Sequence, residues 1–265
     1  MKQILFLIGI ILSISCSKAT HTGTIPSHNS SSTSVIDLSP TLQSQILGGE
    51  QHFAVYLPPS YATEPNKRYP VLYLLHGMNQ NYKSWINEGA LQAVADEVIA
   101  EGAKEMIIIC PDGFNSFYYN RPQMRYEDFF IQEFIPEIER RYRILSEKSH
   151  RNIAGLSMGG FGATYLAFQY HNLFGNAYST SGGFIEPAMS LLKGIINAKL
   201  PTQKNFFPSY TLECGEEDSL VIESNRVFSQ FLDEKQINYT KIFRQGTHNW
   251  KFWKESLPKI LRSVR

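Results

Sequence analysis

The sequence has few cysteines, no excess of charge of either sign and no apolar run long enough to cross a membrane as a mature helix. Three cysteines among 265 residues exclude a small fold held together by a disulfide framework. Lys and Arg number 25 against 24 Asp and Glu, a net charge of +1. This balance argues against a nucleic-acid-binding protein and against attachment to anionic lipid by charge alone. Apolar residues make up 43% of the chain and charged residues 18%, so most of it is expected to bury a sizeable core.

The sequence also lacks the common motifs of metal and nucleotide sites. It contains no HExxH, no P-loop and no GxGxxG after a predicted strand. We therefore expect no metal ion, no cofactor and no nucleic-acid partner. No internal repeat is visible, and the sequence carries no indication of an oligomeric state.

The N-terminal residues are typical of a bacterial lipoprotein signal. A basic start at Lys2 precedes an apolar stretch over residues 4–14, whose length fits the central region of a signal peptide. Small residues before Cys16 predict a signal peptide over residues 1–16, with Cys16 as the lipidated N-terminus. Ser13 stands where this signal usually has leucine, so an ordinary secretory signal cleaved nearby is the alternative.

Residues 17–34 are rich in Ser and Thr and nearly devoid of apolar side chains. This composition predicts a flexible tether, followed by one folded domain over residues 35–265, a length that suits a single α/β domain. The predicted location is the bacterial cell envelope, as a periplasmic or outer-membrane lipoprotein, with secretion as the alternative. Contact with a membrane is expected through the N-terminal lipid anchor only.

Hydrophobic patterning from residue 53 onward alternates between strand and helix. Continuous apolar runs ended by turn residues predict buried strands at 71–75 and 106–110. Shorter strands are predicted at 53–57, 151–154, 175–180, 210–214 and 239–243. Helical spacing of apolar residues predicts helices at 89–100, 126–142 with a kink at Pro136, 158–170, 225–235 and after Trp250. In the helix at 225–235, the residues expected to face inward are Val227, Phe228, Phe231 and Leu232. Such alternation indicates a mostly parallel sheet with helices on both faces.

The most informative motif is Gly155-Leu156-Ser157-Met158-Gly159, a G-x-S-x-G. A motif this short arises by chance in about one of ten chains of this length at average composition, so its context decides. A predicted strand precedes it and a glycine-rich predicted helix follows, which is the strand–turn–helix setting of a nucleophile elbow. Ser157 is therefore the candidate nucleophile, and a serine that only caps the helix is the alternative.

Chain order selects the candidate base. In this type of site the acid and then the histidine follow the serine. His171 follows Ser157 too closely and ends the helix that starts at the elbow. His248 remains, in a glycine-containing loop after the last predicted strand, and is the candidate general base.

The acid must lie between Ser157 and His248. The turn after the strand at 210–214 contains Glu216, Glu217 and Asp218, where a carboxylate could reach the histidine. Asp218 is the first choice and Glu217 the alternative, while a solvated acidic loop is a third possibility.

Two backbone N–H groups are predicted to bind the oxyanion that forms when a serine attacks an ester. One belongs to Met158, the residue after the candidate nucleophile, and the other to Met78, in the loop after the strand at 71–75. His76, in the same loop, is expected to shape that loop rather than to transfer protons.

Together these motifs resemble those of the esterase D / feruloyl esterase group, carbohydrate esterase family 1. The resemblance covers about residues 45–262 and rests on Leu75-His76-Gly77-Met78, Ser84-Trp85, Pro111-Asp112-Gly113, Gly155-Leu156-Ser157-Met158-Gly159-Gly160, Cys214-Gly215-Glu216-Glu217-Asp218 and Gly246-Thr247-His248-Asn249-Trp250. It implies an α/β-hydrolase fold with Ser157, Asp218 and His248 as the catalytic triad. The strand order that it implies also separates Cys110 from Cys214, so both are expected to be free thiols.

The resemblance implies a secreted serine esterase that removes feruloyl or acetyl groups from plant-type polysaccharide through an acyl-serine intermediate. Its expected partner is therefore an ester-bearing carbohydrate. Phe117 and Tyr118, in an aromatic loop, and Trp250, after the histidine, are the predicted pocket residues. Phe117 stands where many relatives carry tryptophan. Acyl transfer to a sugar hydroxyl and an inactive carbohydrate-binding protein are the alternatives.

Overall fold

The computed structural model describes residues 33–203 and 207–265, which belong to one compact unit. The predicted signal peptide, with Cys16, and the tether up to residue 32 lie outside the described residues. Within the described ranges, no helix has both the length and the apolar composition that crossing a bilayer requires.

Strands and helices alternate along the chain, as the patterning predicts. The strands are β1 (Val35–Asp37), β2 (Thr41–Gln43), β3 (Glu50–Leu57), β4 (Val71–Leu75), β5 (Ile107–Pro111), β6 (Asn120–Arg121), β7 (Met124–Arg125), β8 (Arg151–Leu156), β9 (Asn176–Thr180), β10 (Ser209–Gly215) and β11 (Thr240–Arg244). The helices are α1 (Ser84–Asn87), α2 (Leu91–Ala100), α3 (Tyr126–Phe129), α4 (Ile135–Arg141), α5 (Met158–Gln169), α6 (Ala188–Gln203), α7 (Ile222–Glu234) and α8 (Trp250–Arg262).

One large sheet organises these elements. Its strand order is β1-β3-β5-β4-β8-β9-β10-β11, with β2 paired to β3. The six strands from β5 to β11 in this order are parallel, whereas β1 and β3 run antiparallel at one side. The chain order reverses between β4 and β8, and ligands of open α/β sheets bind at such a switch point, beyond the carboxyl ends of the strands.

Helices cover both faces of the sheet, which explains why β4 and β5 are buried along their whole length and almost entirely apolar. One core contains Phe129 of α3, Phe161 of α5 and Phe228 of α7. The other contains Trp85 of α1 and Leu257 of α8. The α/β-hydrolase fold is confirmed.

Some local predictions were wrong or incomplete. Val227 does not face inward but is 43% exposed on α7, because the buried stripe of this helix runs through Phe228, Phe231 and Leu232. The patterning did not predict α6, the edge strands β1 and β2, or the hairpin of β6 and β7. The expected interruption near Pro136, which lacks a backbone N–H, takes the form of a π-helical turn over Phe130–Phe134.

Candidate active site

Ser157 lies in a sharp turn between β8 and α5, at the switch point of the sheet. Its φ of 52° and ψ of −117° are unusual for a residue with a Cβ and cost about 1–3 kcal/mol. Two backbone hydrogen bonds hold this conformation: Ser157 N–H donates to Thr180 O at 3.0 Å, and Gly183 N–H donates to Ser157 O at 2.8 Å. The turn therefore projects the serine hydroxyl beyond the sheet.

Two glycines let the turn pack against its neighbours. A Cβ on Gly159 would stand 2.5 Å from Leu75 O and 2.6 Å from His76 O, and a Cβ on Gly155 would collide with Gly159 O. These contacts bring the start of α5 against the end of β4. Both glycines of the G-x-S-x-G motif are thus needed because neighbouring backbone atoms leave no room for a Cβ.

Ser157, His248 and Asp218 form a hydrogen-bonded chain, the Ser–His–Asp chain. Ser157 Oγ lies 2.9 Å from His248 Nε2, and His248 Nδ1 lies 2.7 Å from Asp218 Oδ2. The hydroxyl can donate to Nε2 when Nδ1 carries the ring proton and donates it to the carboxylate. This arrangement allows the imidazole to accept the serine proton while Asp218 fixes the tautomer.

The structure distinguishes the two candidate acids. Asp218 is fully buried, and its Oδ1 accepts a hydrogen bond of 3.3 Å from Val221 N–H. Glu217 is exposed, and its carboxylate accepts a hydrogen bond from Gln245. Only Asp218 reaches His248.

The turn after β10 and the loop after β11 are interlocked by their backbones. Glu217 N–H donates to Gly246 O at 3.1 Å, and a Cβ on Gly215 would collide with that same oxygen. After the histidine, Asn249 caps α8 by accepting from Phe252 N–H at 3.1 Å. The loops that carry Asp218 and His248 therefore hold each other in register.

A buried carboxylate supports this region from below. Glu213 of β10 is fully buried and accepts hydrogen bonds from Arg244 of β11 at 2.6 Å, Lys259 of α8 at 2.7 Å and Tyr178 of β9 at 2.8 Å. Burial alone would raise the pKa of Glu213, but the bonds from Lys259, Arg244 and Tyr178 outweigh it and lower the pKa below its usual value. This network, which no sequence motif indicates, ties the strands that precede the two loops to α8.

The residues of the two predicted oxyanion donors line the same cavity as Ser157. Met158 is the first residue of α5, so its N–H has no partner inside the helix and lies at the positive end of the helix dipole. Gly77 and Met78 line the same cavity as Ser157 and Met158, and a Cβ on Gly77 would stand 3.4 Å from Ser157 Cβ. The backbone of the Met78 loop thus lies against the serine.

His76 shapes this loop, as expected. It is buried, and its Nε2 accepts a hydrogen bond of 2.7 Å from Gly113 N–H. A backbone N–H can only donate, so the ring proton lies on Nδ1, which donates to Gly77 O at 2.7 Å. The imidazole links the loops after β4 and β5 and has no free nitrogen for proton transfer.

A cavity of about 340 Å³ opens beside Ser157 and is called the acyl cavity below. Its side chains are mostly apolar: Met78, Phe117, Met158, Ile185, Leu220, Val221 and Trp253, with Gln80 as the polar exception besides Ser157 and His248. Leu220 is 69% exposed, and Ile185 and Met78 are 45% and 43% exposed. Large apolar side chains thus surround its mouth, as expected of a site for an apolar group.

Of the three predicted pocket residues, only Phe117 lines this cavity. Tyr118 is fully buried, with its hydroxyl donating to His76 O at 3.0 Å. Trp250 packs edge to face against Trp85 at 5.3 Å. Trp253, one helical turn further along α8, lines the cavity instead and packs against the His248 ring at 5.0 Å.

Cys110 and Cys214 are free thiols, as predicted. Their strands, β5 and β10, are separated in the sheet by β4, β8 and β9. Burial raises the pKa of the Cys110 thiol well above its usual value, and burial with the nearby Asp218 raises the pKa of Cys214 to about 12. Both thiols are therefore neutral and unsuited to act as nucleophiles. Among residues 33–203 and 207–265, no group of three or more His, Cys, Asp or Glu is placed to hold a metal ion.

Comparison with known proteins places this chain among esterases. Residues 44–264 match the model of the Esterase family. An esterase of Mycobacterium tuberculosis is 34% identical over 148 residues, which are 53% of this chain and 31% of that protein. An endo-1,4-beta-xylanase/feruloyl esterase of Xylanibacter ruminicola is 33% identical over 156 residues, 56% of this chain and 22% of that protein. The chain thus spans less than a third of the length of these two relatives.

A solved structure of a ferulic acid esterase matches over nearly its whole length. It is 30% identical to this chain, with a TM-score of 0.79, and the match covers 87% of this chain and 99% of that one. The match confirms the resemblance to the esterase D / feruloyl esterase group that the sequence motifs carry. The chain therefore belongs to the Esterase family of α/β-hydrolases.

Proposed function

We propose that the protein is a serine esterase that hydrolyses carboxylic esters on carbohydrate, with feruloyl esters as the preferred substrates. The observation that carries the proposal is the Ser–His–Asp chain at the mouth of an apolar cavity. Relatives named as esterase, xylanase/feruloyl esterase and ferulic acid esterase support the same activity.

The proposed reaction starts with attack of Ser157 Oγ on the ester carbonyl carbon. His248 Nε2 takes the hydroxyl proton, and Asp218 stabilises the imidazolium that forms. The carbonyl oxygen becomes an oxyanion, which the N–H groups of Met78 and Met158 bind. Collapse of this intermediate expels the alcohol, which receives the proton from His248, and leaves an acyl group on Ser157.

Water completes the cycle. His248 removes a proton from a water molecule, whose oxygen attacks the acyl carbon, and the second oxyanion occupies the same two N–H groups. Collapse then releases the acid and returns the proton to Ser157 Oγ. A sugar hydroxyl in place of water would give acyl transfer by the same steps.

The acyl cavity favours feruloyl over acetyl groups. An acetyl group is far smaller than the cavity, whose volume is about 340 Å³, and would leave most of its apolar wall without contact. A phenolic acyl group would fill it, with Phe117 and Trp253 as aromatic contacts. Gln80 offers a polar group beside these apolar side chains.

A panel of three esters tests the proposal. We expect kcat/KM to be highest for methyl ferulate, lower for an acetylated xylo-oligosaccharide and lowest for a long-chain p-nitrophenyl ester. A preference for the long-chain ester would refute the substrate assignment. Failure to react with a fluorophosphonate probe would instead favour an inactive carbohydrate-binding protein.

We further propose that the protein is a lipoprotein of the bacterial cell envelope, on the support of its sequence alone. Cys16→Ala should release it from the membrane fraction, because the lipid is the expected membrane contact. Fractionation at high salt checks this, and a variant that stays membrane-bound would place the anchor elsewhere.

A further inference from the structure

A second cavity lies at the same edge of the sheet as the acyl cavity, on the side of β3 and β5. Its volume is about 350 Å³, and Gln51, Phe114, Gln123 and Arg125 contribute to its lining. We call it the β3–β5 groove. The Ser–His–Asp chain and the acyl cavity use none of these residues.

The strand order fixes how far the groove lies from Ser157. Gln51 lies near the start of β3 and Phe114 just beyond β5, and these ends coincide because Phe53 pairs with Pro111 in antiparallel register. From β3 to β8 the order is β3-β5-β4-β8. Three spacings of roughly 4.8 Å place the groove about 14 Å from the serine along the sheet edge.

One loop connects the groove to the acyl cavity. Phe114 lines the groove and Phe117 lines the acyl cavity. Between them, Asn115 Nδ2 donates to Asn79 Oδ1 at 2.9 Å, and its Oδ1 accepts from Asn79 N–H at 2.8 Å. Because Asn79 follows Met78, this amide pair lies along the path from the oxyanion donors to the groove.

The groove combines an aromatic face with unpaired hydrogen-bonding capacity. Phe114 is 39% exposed. Its backbone has a strained φ of 50°, and Asp112 stabilises this conformation by accepting a hydrogen bond of 3.0 Å from Phe114 N–H. Gln51 is 7% exposed, and its Oε1 is buried without a hydrogen-bond partner in the part of the chain that the structure describes. An unpaired buried carbonyl is unfavourable, so a ligand donor that reached this oxygen on occupying the groove would be stabilising.

A sugar ring matches this combination. Its C–H face can pack on Phe114, and its hydroxyl groups can accept from the exposed amide of Gln123 and from the exposed guanidinium of Arg125, which also donates to Asp128 at 2.7 Å. We propose that the β3–β5 groove binds the carbohydrate part of the ester, whose alcohol oxygen leaves, while the acyl cavity binds the acid part. This inference rests on the proposed esterase function and assigns the leaving-group side of the same site.

Two substrates with the same acyl group separate the two cavities. Phe114→Ala should raise KM about tenfold for a feruloylated arabinoxylo-oligosaccharide, since it removes an aromatic contact with the sugar. It should leave KM and kcat for methyl ferulate unchanged, because the methyl group cannot reach the groove. Gln123→Ala should raise KM for the feruloylated oligosaccharide by a smaller factor and should also leave methyl ferulate hydrolysis unchanged. Val227→Ala, at a 43% exposed apolar residue of α7, is the matched control and should change neither substrate.

An equal effect of Phe114→Ala on both substrates, or on neither, would overturn the proposal. A binding measurement makes the result independent of hydrolysis. Calorimetric titration of the full chain with unesterified arabinoxylo-oligosaccharide should show binding to the wild type that Phe114→Ala weakens. If the wild type hydrolyses none of the three esters and does not react with a fluorophosphonate probe, the esterase function is refuted and this titration alone decides the groove. Absence of sugar binding to the wild type would refute the groove as a carbohydrate site.

Discussion

The Ser–His–Asp chain and the acyl cavity share one edge of the sheet but are built in different ways. The Ser–His–Asp chain is held by hydrogen bonds and by close backbone contacts, such as that between Gly215 and Gly246 O. The acyl cavity is walled by side chains from separate loops, and Met78, Ile185 and Leu220 are partly open to solvent around its mouth.

This contrast separates chemistry from selectivity. A substitution in the Ser–His–Asp chain removes or displaces groups that have no alternative position, so its effect on kcat should be large. A change in the wall alters apolar contact area, so its effect should be graded and should depend on the substrate.

Ser157→Ala should lower kcat for methyl ferulate on the order of 10⁶-fold, because it removes the nucleophile from an otherwise intact site. Ser190→Ala, at an exposed serine of α6, is the control and should retain full activity. Initial rates and circular dichroism check the result. Activity above a few per cent in a folded Ser157→Ala protein would place the nucleophile elsewhere.

Asp218→Asn should lower kcat about 10⁴-fold, because an amide no longer fixes the tautomer of His248 or stabilises its charged form. Glu217→Gln changes the neighbouring exposed carboxylate in the same way and should have no effect on kcat. Steady-state kinetics of this matched pair measure the difference. A larger loss in Glu217→Gln would show that the acid has been misassigned.

Glu213→Gln tests the buried hydrogen-bond network that joins β10, β11 and α8 next to the Ser–His–Asp chain. It leaves the charges of Arg244 and Lys259 without their buried partner and should lower the free energy of unfolding by about 2 kcal/mol at pH 7, the scale of a hydrogen bond to a charged group. Because the folded state lowers the pKa of Glu213, its contribution is present above about pH 4.3 and is lost as the pH falls through the folded-state value.

Urea unfolding at pH 7 and pH 3 measures this effect, and the gap between wild type and Glu213→Gln should narrow at pH 3. The exposed Glu216, changed to Gln, is the control and should cost little at either pH. A gap that is the same at both pH values would mean that charge is not the cause.

Phe117→Ala tests the wall of the acyl cavity. It should raise KM for methyl ferulate about tenfold through the loss of aromatic contact and should leave hydrolysis of a small acetyl ester nearly unchanged. Leu191→Ala, at an exposed residue of α6, is the control. Equal losses on both esters would show that Phe117 acts on the oxyanion loop rather than on the acyl group.

Local patterns predicted the parts of the fold that depend on local interactions. The run at 71–75 coincides with β4, and the G-x-S-x-G motif spans the junction of β8 and α5 as predicted, because the tight turn at Ser157 requires small neighbours. Asp218 was harder to assign, since only its burial and its contact with His248 separate it from Glu217. Neither property is visible in a run of three acidic residues.

The wall of the acyl cavity could not be predicted in the same way. Ile185, Leu220 and Trp253 are far apart in the chain and carry no shared motif. Tyr118 was expected in the pocket, but positive φ values at Phe117 and Tyr118 turn the loop so that the tyrosine points into the core. The helical period from Trp250 to Trp253 is a signal that could have indicated the second tryptophan.

The Ser–His–Asp chain depends on backbone contacts, whereas the wall of the acyl cavity is made of side chains. This difference also bears on how such a protein can diversify. The glycines in close backbone contact, Gly155, Gly159, Gly215 and Gly246, belong to the turns that carry Ser157, Asp218 and His248. Ile185 and Leu220, at the cavity mouth, can be exchanged without touching those contacts. A lineage could therefore acquire new ester preferences by successive substitutions at the mouth, each tolerated on its own, while the reactive geometry is inherited unchanged.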